Sequence, residues 1–251
     1  MKRFLKRLPI LIVIVLAVLC IGFVSWTRLA RYRAFPDAAA LGARAARAPQ
    51  GWLVFNPGTP NGSGLVFYPG GLVDAAAYAP LAQALADRGT LVVIPPMPLE
   101  LAVFGVGSAD AVIAAYPGVE RWAIGGHSLG GSMAGAYVGN HAADIAAGRS
   151  RIKGVLLYGS YIQESAGVNA LPIAGLSVYG SNDTLAKPPI TREQRLAGAP
   201  KGTRLVEVPG GNHAMFGDYG PQAGDGTATA PLATLRQQIV DETAAFLASM
   251  R

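Results

Sequence analysis

The chain has 251 residues, of which 51% are hydrophobic and only 14% are charged. This composition is too apolar for a disordered protein, and the length suffices for one α/β domain with a sizeable core. The net charge of +6 originates at the N-terminus: residues 1–33 carry seven Lys or Arg and no acid, which leaves 14 basic against 15 acidic residues elsewhere. The nearly neutral body gives no indication of a nucleic-acid-binding surface, and the single cysteine, Cys20, excludes an intrachain disulfide framework or thiolate metal site.

The N-terminal segment is typical of a membrane helix. Residues 8–27 include no charged side chain, and about 20 apolar residues suffice to cross a bilayer as a helix. The apolar region of a cleaved signal peptide has about 7–15 residues and ends in a small-x-small site, which residues 22–26 do not offer. We predict an uncleaved signal anchor over residues 1–33, with a cleaved signal peptide as the alternative.

The charges on either side of the span give only a slight preference for one orientation of this anchor in the membrane. Four basic residues precede the span and three follow it, so the positive-inside bias is slight. The short leading tail favours a cytoplasmic N-terminus, and we expect a single-pass protein of the cell membrane with an extracytoplasmic domain. Residues 34–50, rich in Ala and Arg, are predicted to form a stalk or linker, partly helical, ahead of the domain at 51–251.

Apolar runs alternate with amphipathic segments throughout the domain. The predicted strands cover residues 51–55, 65–68, 90–94, 121–126, 152–158, 173–179 and 203–208. The predicted helices cover residues 74–88, 108–115, 129–147, 189–197 and 231–249. Because the strands are solidly apolar, we expect a mostly parallel sheet covered by helices on both faces. In such sheets, ligands bind beyond the carboxyl ends of the strands.

One stretch, residues 121–134, carries the strongest chemical signal. Its centre, Gly126-His127-Ser128-Leu129-Gly130, fits G-x-S-x-G, the nucleophile elbow, in which a serine lies on a sharp turn between a strand and a helix. The glycines are needed because side chains two residues before and after the serine would collide with the neighbouring strand or helix. The pattern predicts Ser128 as a nucleophile. The five residues alone also fit a glycine-rich turn that serves only packing, so the choice between a catalytic and a structural turn depends on the rest of the sequence.

A serine nucleophile needs a base, and a base needs an acid that fixes its tautomer. Of the three histidines, His127 is expected to point away from the site and His141 to lie within the following helix. His213 follows the last predicted strand and is therefore the predicted base. Asp183 follows the preceding strand and is the predicted acid, with Asp218 in reserve. Both positions also suit ordinary loops, but the order Ser, Asp, His, each after its own strand, is specific to one arrangement of the triad.

An oxyanion hole requires two preorganised N–H donors. The residue after the nucleophile, Leu129, supplies one of them. The second is expected from Pro69-Gly70-Gly71-Leu72, the loop that follows the strand at 65–68. We predict Gly71 as this donor and keep Leu72 as the alternative; a plain tight turn is the structural explanation of the same glycines.

From about Gly64 to Phe246 the chain resembles serine α/β-hydrolases, in a small single-domain subgroup distantly similar to dienelactone hydrolases. The stretches that carry the resemblance are Phe67–Gly71, Met97–Gly105, Gly125–Gly131, Tyr179–Asp183 and Gly210–Gly220. The resemblance implies the α/β-hydrolase fold and Ser128, Asp183 and His213 as the triad. Dienelactone hydrolases use a cysteine nucleophile where this chain has serine, which argues against their substrate.

The pattern therefore predicts a membrane-anchored serine hydrolase of the carboxylesterase type, acting on a small-molecule acyl substrate without cofactor or metal. The alternative is a non-catalytic α/β-hydrolase-like binding domain tethered to the membrane. The glycine-rich stretch is not followed by Lys-Ser/Thr, so it is no P-loop. We expect residues 95–105 to line the mouth of the site, and residues 217–230, including Asp225, to form a flexible rim without the spacing of a calcium loop.

Overall fold

A computed structural model describes residues 2–250 of the chain, which divides into two units between Arg31 and Tyr32. The first unit contains one helix, α1 (Lys2–Leu29). Residues Leu11–Leu29 of this helix are long and apolar enough to cross a membrane, a property that signal sequences share. The second unit is an α/β domain.

The domain is built on one eight-stranded sheet with the strand order β1-β2-β4-β3-β5-β6-β7-β8. The strands are β1 (Ala46–Arg47), β2 (Leu53–Phe55), β3 (Ser63–Tyr68), β4 (Leu91–Ile94), β5 (Arg121–His127), β6 (Ile152–Tyr158), β7 (Ala174–Gly180) and β8 (Arg204–Val208). Strand β2 runs antiparallel to β1 and β4, and every other neighbouring pair is parallel. The prediction of a mostly parallel sheet is confirmed.

Helices cover both faces of this sheet. They are α2 (Pro36–Arg44), α3 (Ala79–Ala86), α4 (Ser108–Ala115), α5 (Leu129–Asn140), α6 (Ala142–Ala146), α7 (Arg192–Ala197) and α8 (Leu232–Ser249). Successive residues of β3 enter different cores: Phe67 packs in the cluster that contains residues of α3 and α8, and Val66 in the cluster that contains residues of α4 and α5. This alternation explains the solidly apolar strands, because both faces of the sheet are buried.

The segment predicted as a stalk differs from that prediction. Helix α2 begins with Pro36 at its first turn and packs on the domain, where Ala38 is buried and Gly42 lies close to Ala76. Strand β1 then pairs with β2, Ala46 opposite Val54. Residues 36–47 are part of the compact domain because their alanines and glycine allow close packing, a contact that composition alone does not reveal.

Two predicted helices are divided in the structure. Residues Ala75–Tyr78 form a 3₁₀ turn before α3, and Asp74 caps it by accepting a hydrogen bond from the Ala76 N–H at 3.0 Å. The helix after Ser128 is interrupted at His141, between α5 and α6. Both changes are local, and the loops that follow β3, β5, β7 and β8 still meet at one edge of the sheet.

Candidate active site

Ser128 occupies a strained turn between β5 and α5. Its φ of 51° and ψ of −121° are values that non-glycine residues rarely adopt and that persist only where the surrounding structure enforces them. Two hydrogen bonds hold the turn: the Ser128 N–H donates to the Tyr158 carbonyl at 2.8 Å, and the Ser160 hydroxyl donates to the Ser128 carbonyl at 2.7 Å. The backbone of the elbow is thus tied to the end of β6.

The glycines of the elbow are required by close backbone contacts. A Cβ atom on Gly126 or on Gly130 would overlap the carbonyl oxygen of Tyr68, at the end of the neighbouring strand β3. A Cβ atom on Gly131 would lie 2.7 Å from the Cβ of Ser160. The expectation that small residues must flank the serine is confirmed by these distances.

Asp183 and His213 form a buried hydrogen-bonded pair. The Nδ1 atom of His213 lies 3.0 Å from Oδ2 of Asp183, and the two side chains are only 5% and 6% exposed. Burial raises the pKa of Asp183, but the hydrogen bond and charge of His213, the Leu185 N–H and the charge of Arg195 together hold it below its ordinary value. An ionised carboxylate only accepts hydrogen bonds, so Nδ1 of His213 carries a hydrogen, and in the neutral form of the imidazole Nε2 then presents a lone pair.

The Nε2 atom of His213 is buried and has no hydrogen-bond partner within residues 2–250. The His213 ring lies beside the elbow, with its centroid 4.6 Å from that of His127, the residue before Ser128. No hydrogen bond joins Ser128 to His213 in the described part of the chain. Such bonds are often long without substrate and shorten in the complex. The structure therefore brings Asp183 and His213 together, with His213 beside the elbow.

Asp225 holds the backbone of His213 in place. Its carboxylate accepts hydrogen bonds from the N–H groups of His213 at 3.1 Å, Ala214 at 2.9 Å and Gly226 at 2.7 Å. The loop around Asp225, predicted to be a flexible rim, is thus bonded directly to the segment that carries the candidate base. The sequence shows only that Asp225 is an acid in a glycine-rich loop, and the partners of such a residue depend on the loop conformation.

Gly71 and Leu129, the two residues predicted as oxyanion donors, are neighbours in the structure. A Cβ atom on Gly71 would be 3.3 Å from Cδ2 of Leu129, and within the described residues neither the Gly71 nor the Leu129 N–H donates a hydrogen bond. The alternative donor, the Leu72 N–H, is occupied, because it donates to the Glu100 carbonyl at 2.9 Å. This contact also places the loop at 97–105 beside the candidate oxyanion hole.

The other candidate side chains have separate partners. The Nε2 atom of His141 is 3.1 Å from Oδ1 of Asp110, on the surface between α4 and α5. Asp218, the reserve acid, pairs with Arg236 at 2.5 Å.

His127 is fully buried, and its Nδ1 contacts the Tyr78 hydroxyl rather than Ser128. Burial, followed by the nearby charge of His213, lowers the pKa of His127 well below its ordinary value.

A cavity of about 580 Å³ lies between the segments that follow β6 and β7. Tyr161 and Ile162 line it on one side, and residues of the loop at 186–190 and of α7 line it on the other. The Tyr161 carbonyl accepts a hydrogen bond from the Ser132 hydroxyl of α5 at 3.0 Å, which connects the cavity wall to the nucleophile helix. Within residues 2–250, no three His, Cys, Asp or Glu side chains are grouped to bind a metal ion.

Comparison with known proteins agrees with this architecture. A family profile described as the alpha/beta hydrolase family matches residues 64–237, which is more than half of the chain. The chain belongs to the alpha/beta hydrolase family. Comparison with curated protein sequences gave no match.

Several solved structures share the fold of this family member at low sequence identity. The esterase domain of a Rhodothermus marinus protein is 14% identical with a TM-score of 0.53, and the alignment covers 78% of this chain and 91% of that one. A dienelactone hydrolase from Anabaena variabilis is also 14% identical at a TM-score of 0.53, with 81% and 95% covered. An S-formylglutathione hydrolase from Agrobacterium tumefaciens is 14% identical at 0.50, with 81% and 94% covered.

Proposed function

We propose that this alpha/beta hydrolase family member is a serine hydrolase that cleaves a carboxylic ester or a related acyl bond. The observation that carries the proposal is the environment of His213: its Nδ1 is hydrogen-bonded to the ionised Asp183, its buried Nε2 has no partner within residues 2–250, and its ring lies 4.6 Å, centroid to centroid, from that of His127 in the elbow. A base in this state can accept a proton from a serine hydroxyl, which is its role in a triad.

The mechanism uses side chains of three loops. Ser128 Oγ attacks the carbonyl carbon of the substrate while His213 Nε2 takes the hydroxyl proton, and Asp183 stabilises the imidazolium that forms. The N–H groups of Leu129 and Gly71 then stabilise the negative oxygen of the tetrahedral intermediate. His213 passes the proton to the departing alcohol. A water molecule, deprotonated by the same atom, releases the acid from the acyl-enzyme and restores the serine.

The cavity beside Tyr161 is our candidate for part of the substrate site, because it opens at the edge of the sheet where Asp183 and Ser128 lie. The loop at 97–105 offers a second wall, and its side chains Leu99, Val103 and Phe104 are exposed apolar groups. The cavity itself is lined by apolar side chains such as Ile162 and Ile190 and also by the charged Glu164, Lys187 and Glu193. The apolar side chains of the loop at 97–105 favour an ester whose acyl or alcohol part is apolar, since apolar walls are typical of small-molecule sites.

We further propose that helix α1 anchors the enzyme in the cell membrane, with the domain on the extracytoplasmic side. The apolar span Leu11–Leu29 supports an anchor, and the basic residues on both sides of it are consistent with either orientation. A membrane anchor would keep the hydrolase close to the bilayer, so substrates that partition into lipid would be enriched near it.

The catalytic proposal is tested by ester turnover. Purified full-length protein is assayed with nitrophenyl esters of increasing acyl length, next to Ser128→Ala and Ser132→Ala. We expect turnover by the wild type, loss of at least about 10³-fold in Ser128→Ala, and retained turnover in Ser132→Ala, which removes a hydroxyl one helical turn further on. A folded wild type without turnover over the whole series would favour the non-catalytic binding domain instead.

A further inference from the structure

Three hydrogen bonds among buried groups connect the candidate oxyanion loop to the candidate base. The Gly70 N–H donates to the Tyr78 hydroxyl at 2.9 Å, the hydroxyl lies 2.9 Å from Nδ1 of His127, and Nε2 of His127 lies 3.0 Å from the carbonyl oxygen of His213. Tyr78 and His127 are both 0% exposed. We call this chain of contacts the Tyr78–His127 brace.

The hydrogens of the brace can be assigned in only one neutral arrangement. The His213 carbonyl only accepts, so Nε2 of His127 carries the hydrogen and Nδ1 presents its lone pair. The Tyr78 hydroxyl then donates to Nδ1 and accepts from Gly70. Each of the four contacting groups is satisfied. A proton added to Nδ1 would place two donors, Nδ1–H and the Gly70 N–H, on the same phenolic oxygen, and burial opposes that charge.

Packing around the brace leaves it little freedom. A Cβ atom on Gly70 would lie 2.8 Å from Nδ1 of His127 and 3.0 Å from the Tyr78 hydroxyl, so a side chain there would displace the two groups. The His127 ring also packs at 5.3 Å, centroid to centroid, from Phe216, in the 3₁₀ turn that begins at His213. These contacts make the brace a rigid connection between segments that are distant in sequence.

The residues of the brace are adjacent in the chain to the proposed oxyanion donor and nucleophile, and one end of the brace is the backbone of the proposed base. Gly70 precedes Gly71, the proposed oxyanion donor; His127 precedes Ser128; and the carbonyl that His127 holds belongs to His213. We propose that Tyr78 and His127 are positioning residues, which fix the oxyanion loop and the His213 backbone at the separation that the transition state requires. This role rests on the proposed function. Neither residue touches the reacting atoms, and His127 acts in its neutral form.

The test compares variants of the full-length protein with a water-soluble nitrophenyl acetate. Tyr78→Phe keeps the ring and removes only the hydroxyl. We expect kcat to fall by about 10- to 100-fold with KM changed by less than about threefold, because displacement of catalytic groups by about 1 Å can cost that much in rate. The rate of labelling by a fluorophosphonate, which also needs the base and the oxyanion hole, should fall by the same factor.

Thr243→Val is the matched control. It removes a buried hydroxyl that lies 2.5 Å from the Tyr158 hydroxyl and belongs to α8. We expect this variant to lower the melting temperature about as much as Tyr78→Phe while kcat stays within about twofold. If Tyr78→Phe loses only thermal stability and keeps the wild-type kcat, the brace is merely structural and the proposal is overturned.

A second pair of variants tests His127 itself. His127→Phe removes both ring nitrogens, whereas His127→Gln retains an amide N–H that can reach the His213 carbonyl. We expect His127→Gln to exceed His127→Phe in kcat by at least about tenfold. Equal activity of the two folded variants would contradict a positioning hydrogen bond.

A measurement on the wild type needs no folded variant. ¹⁵N NMR of the histidine side chains should show His127 as the neutral Nε2–H tautomer between about pH 5 and pH 8. A His127 that titrates in this range, or that carries its hydrogen on Nδ1, would overturn the brace. A wild type that turns over no ester would overturn the proposed function and this role with it, whereas an active wild type with an unaffected Tyr78→Phe overturns this role alone.

Discussion

The carboxylate of Asp225 accepts the backbone N–H of His213 at 3.1 Å, from a position twelve residues further along the chain. His213 is thereby held at its N–H by Asp225, at its carbonyl by His127 and at Nδ1 by Asp183, all within about 3 Å. Among residues 2–250, Nε2 of His213 has no hydrogen-bond partner. This arrangement restricts the orientation of the imidazole, which is what a general base needs in order to accept a proton along a fixed direction.

Replacement of Asp225 should therefore affect activity more than replacement of another acid in the same loop. Asp225→Ala leaves the N–H groups of His213 and Ala214 without their acceptor, and we expect kcat/KM to fall by about 10- to 100-fold and the free energy of unfolding by roughly 1–3 kcal/mol. Ester assays and thermal unfolding measure the two effects. Asp218→Ala, which breaks the partly buried pair with Arg236, is the control and should keep its kcat/KM; equal losses in both variants would refute a specific role of Asp225.

Replacement of Asp183 should show both a kinetic and a pH-dependent effect. Asp183→Asn allows the wrong tautomer of His213, so we expect kcat to fall by roughly 10³–10⁴-fold in steady-state assays. Since the pKa of Asp183 is held below its ordinary value in the folded state, its ionised form stabilises the fold above about pH 4, and that stabilisation is lost as the pH falls through the folded-state pKa.

Thermal unfolding of the detergent-solubilised wild type and Asp183→Asn between pH 6 and pH 3 checks the sign. The stability difference between the two proteins should shrink towards the acidic end. A difference that grows on acidification would mean that Asp183 is protonated in the folded protein, and the assignment of the His213 tautomer would fail.

The glycines of the elbow provide a steric prediction. Gly130→Ala brings a Cβ atom into the Tyr68 carbonyl and should destabilise the domain by about 1–3 kcal/mol and reduce labelling of Ser128, because the turn must shift. Gly118→Ala is the control, since a Cβ atom there has no neighbour within 4 Å. Equal stability and labelling of the two variants, by thermal unfolding and by an active-site probe, would show that the elbow tolerates the side chain.

The anchor prediction concerns residues 1–33. If α1 is an uncleaved anchor, the protein stays with the membrane pellet after alkaline carbonate extraction, and its N-terminal peptide is found by mass spectrometry of the pelleted chain. Protease treatment of intact cells should remove the domain if it is extracytoplasmic. A released chain that begins after the apolar segment would identify a cleaved signal peptide instead.

The predictions that agree with the structure depend on short sequence motifs and on the order of the strands. The elbow could be recognised because its glycines follow from contacts between adjacent elements, such as that of Gly130 with Tyr68. Asp183 and His213 could be placed at the same edge because each follows an apolar strand of a parallel sheet. Their 3.0 Å contact agrees with that placement, while the catalytic roles remain a proposal.

Contacts made by irregular loops could not be predicted in the same way. The sequence predicts a flexible rim around Asp225, because neither periodicity nor spacing shows that a loop acid reaches a backbone N–H twelve residues earlier. The sequence predicts only that His127 points away from the site, since its bonds to Tyr78 and His213 depend on how the end of β5 packs against two 3₁₀ turns. Helix α2 was missed as part of the domain because small alanines give little hydrophobic signal.

Covalent labelling shows directly whether the Ser128 hydroxyl is the nucleophile. Folded full-length protein is incubated with a fluorophosphonate, digested, and analysed by peptide mass spectrometry, in parallel with Ser128→Ala and Ser132→Ala. We predict one adduct on Ser128 in the wild type and in Ser132→Ala, and none in Ser128→Ala. A folded wild type that stays unlabelled, or an adduct that persists in Ser128→Ala, would contradict the account.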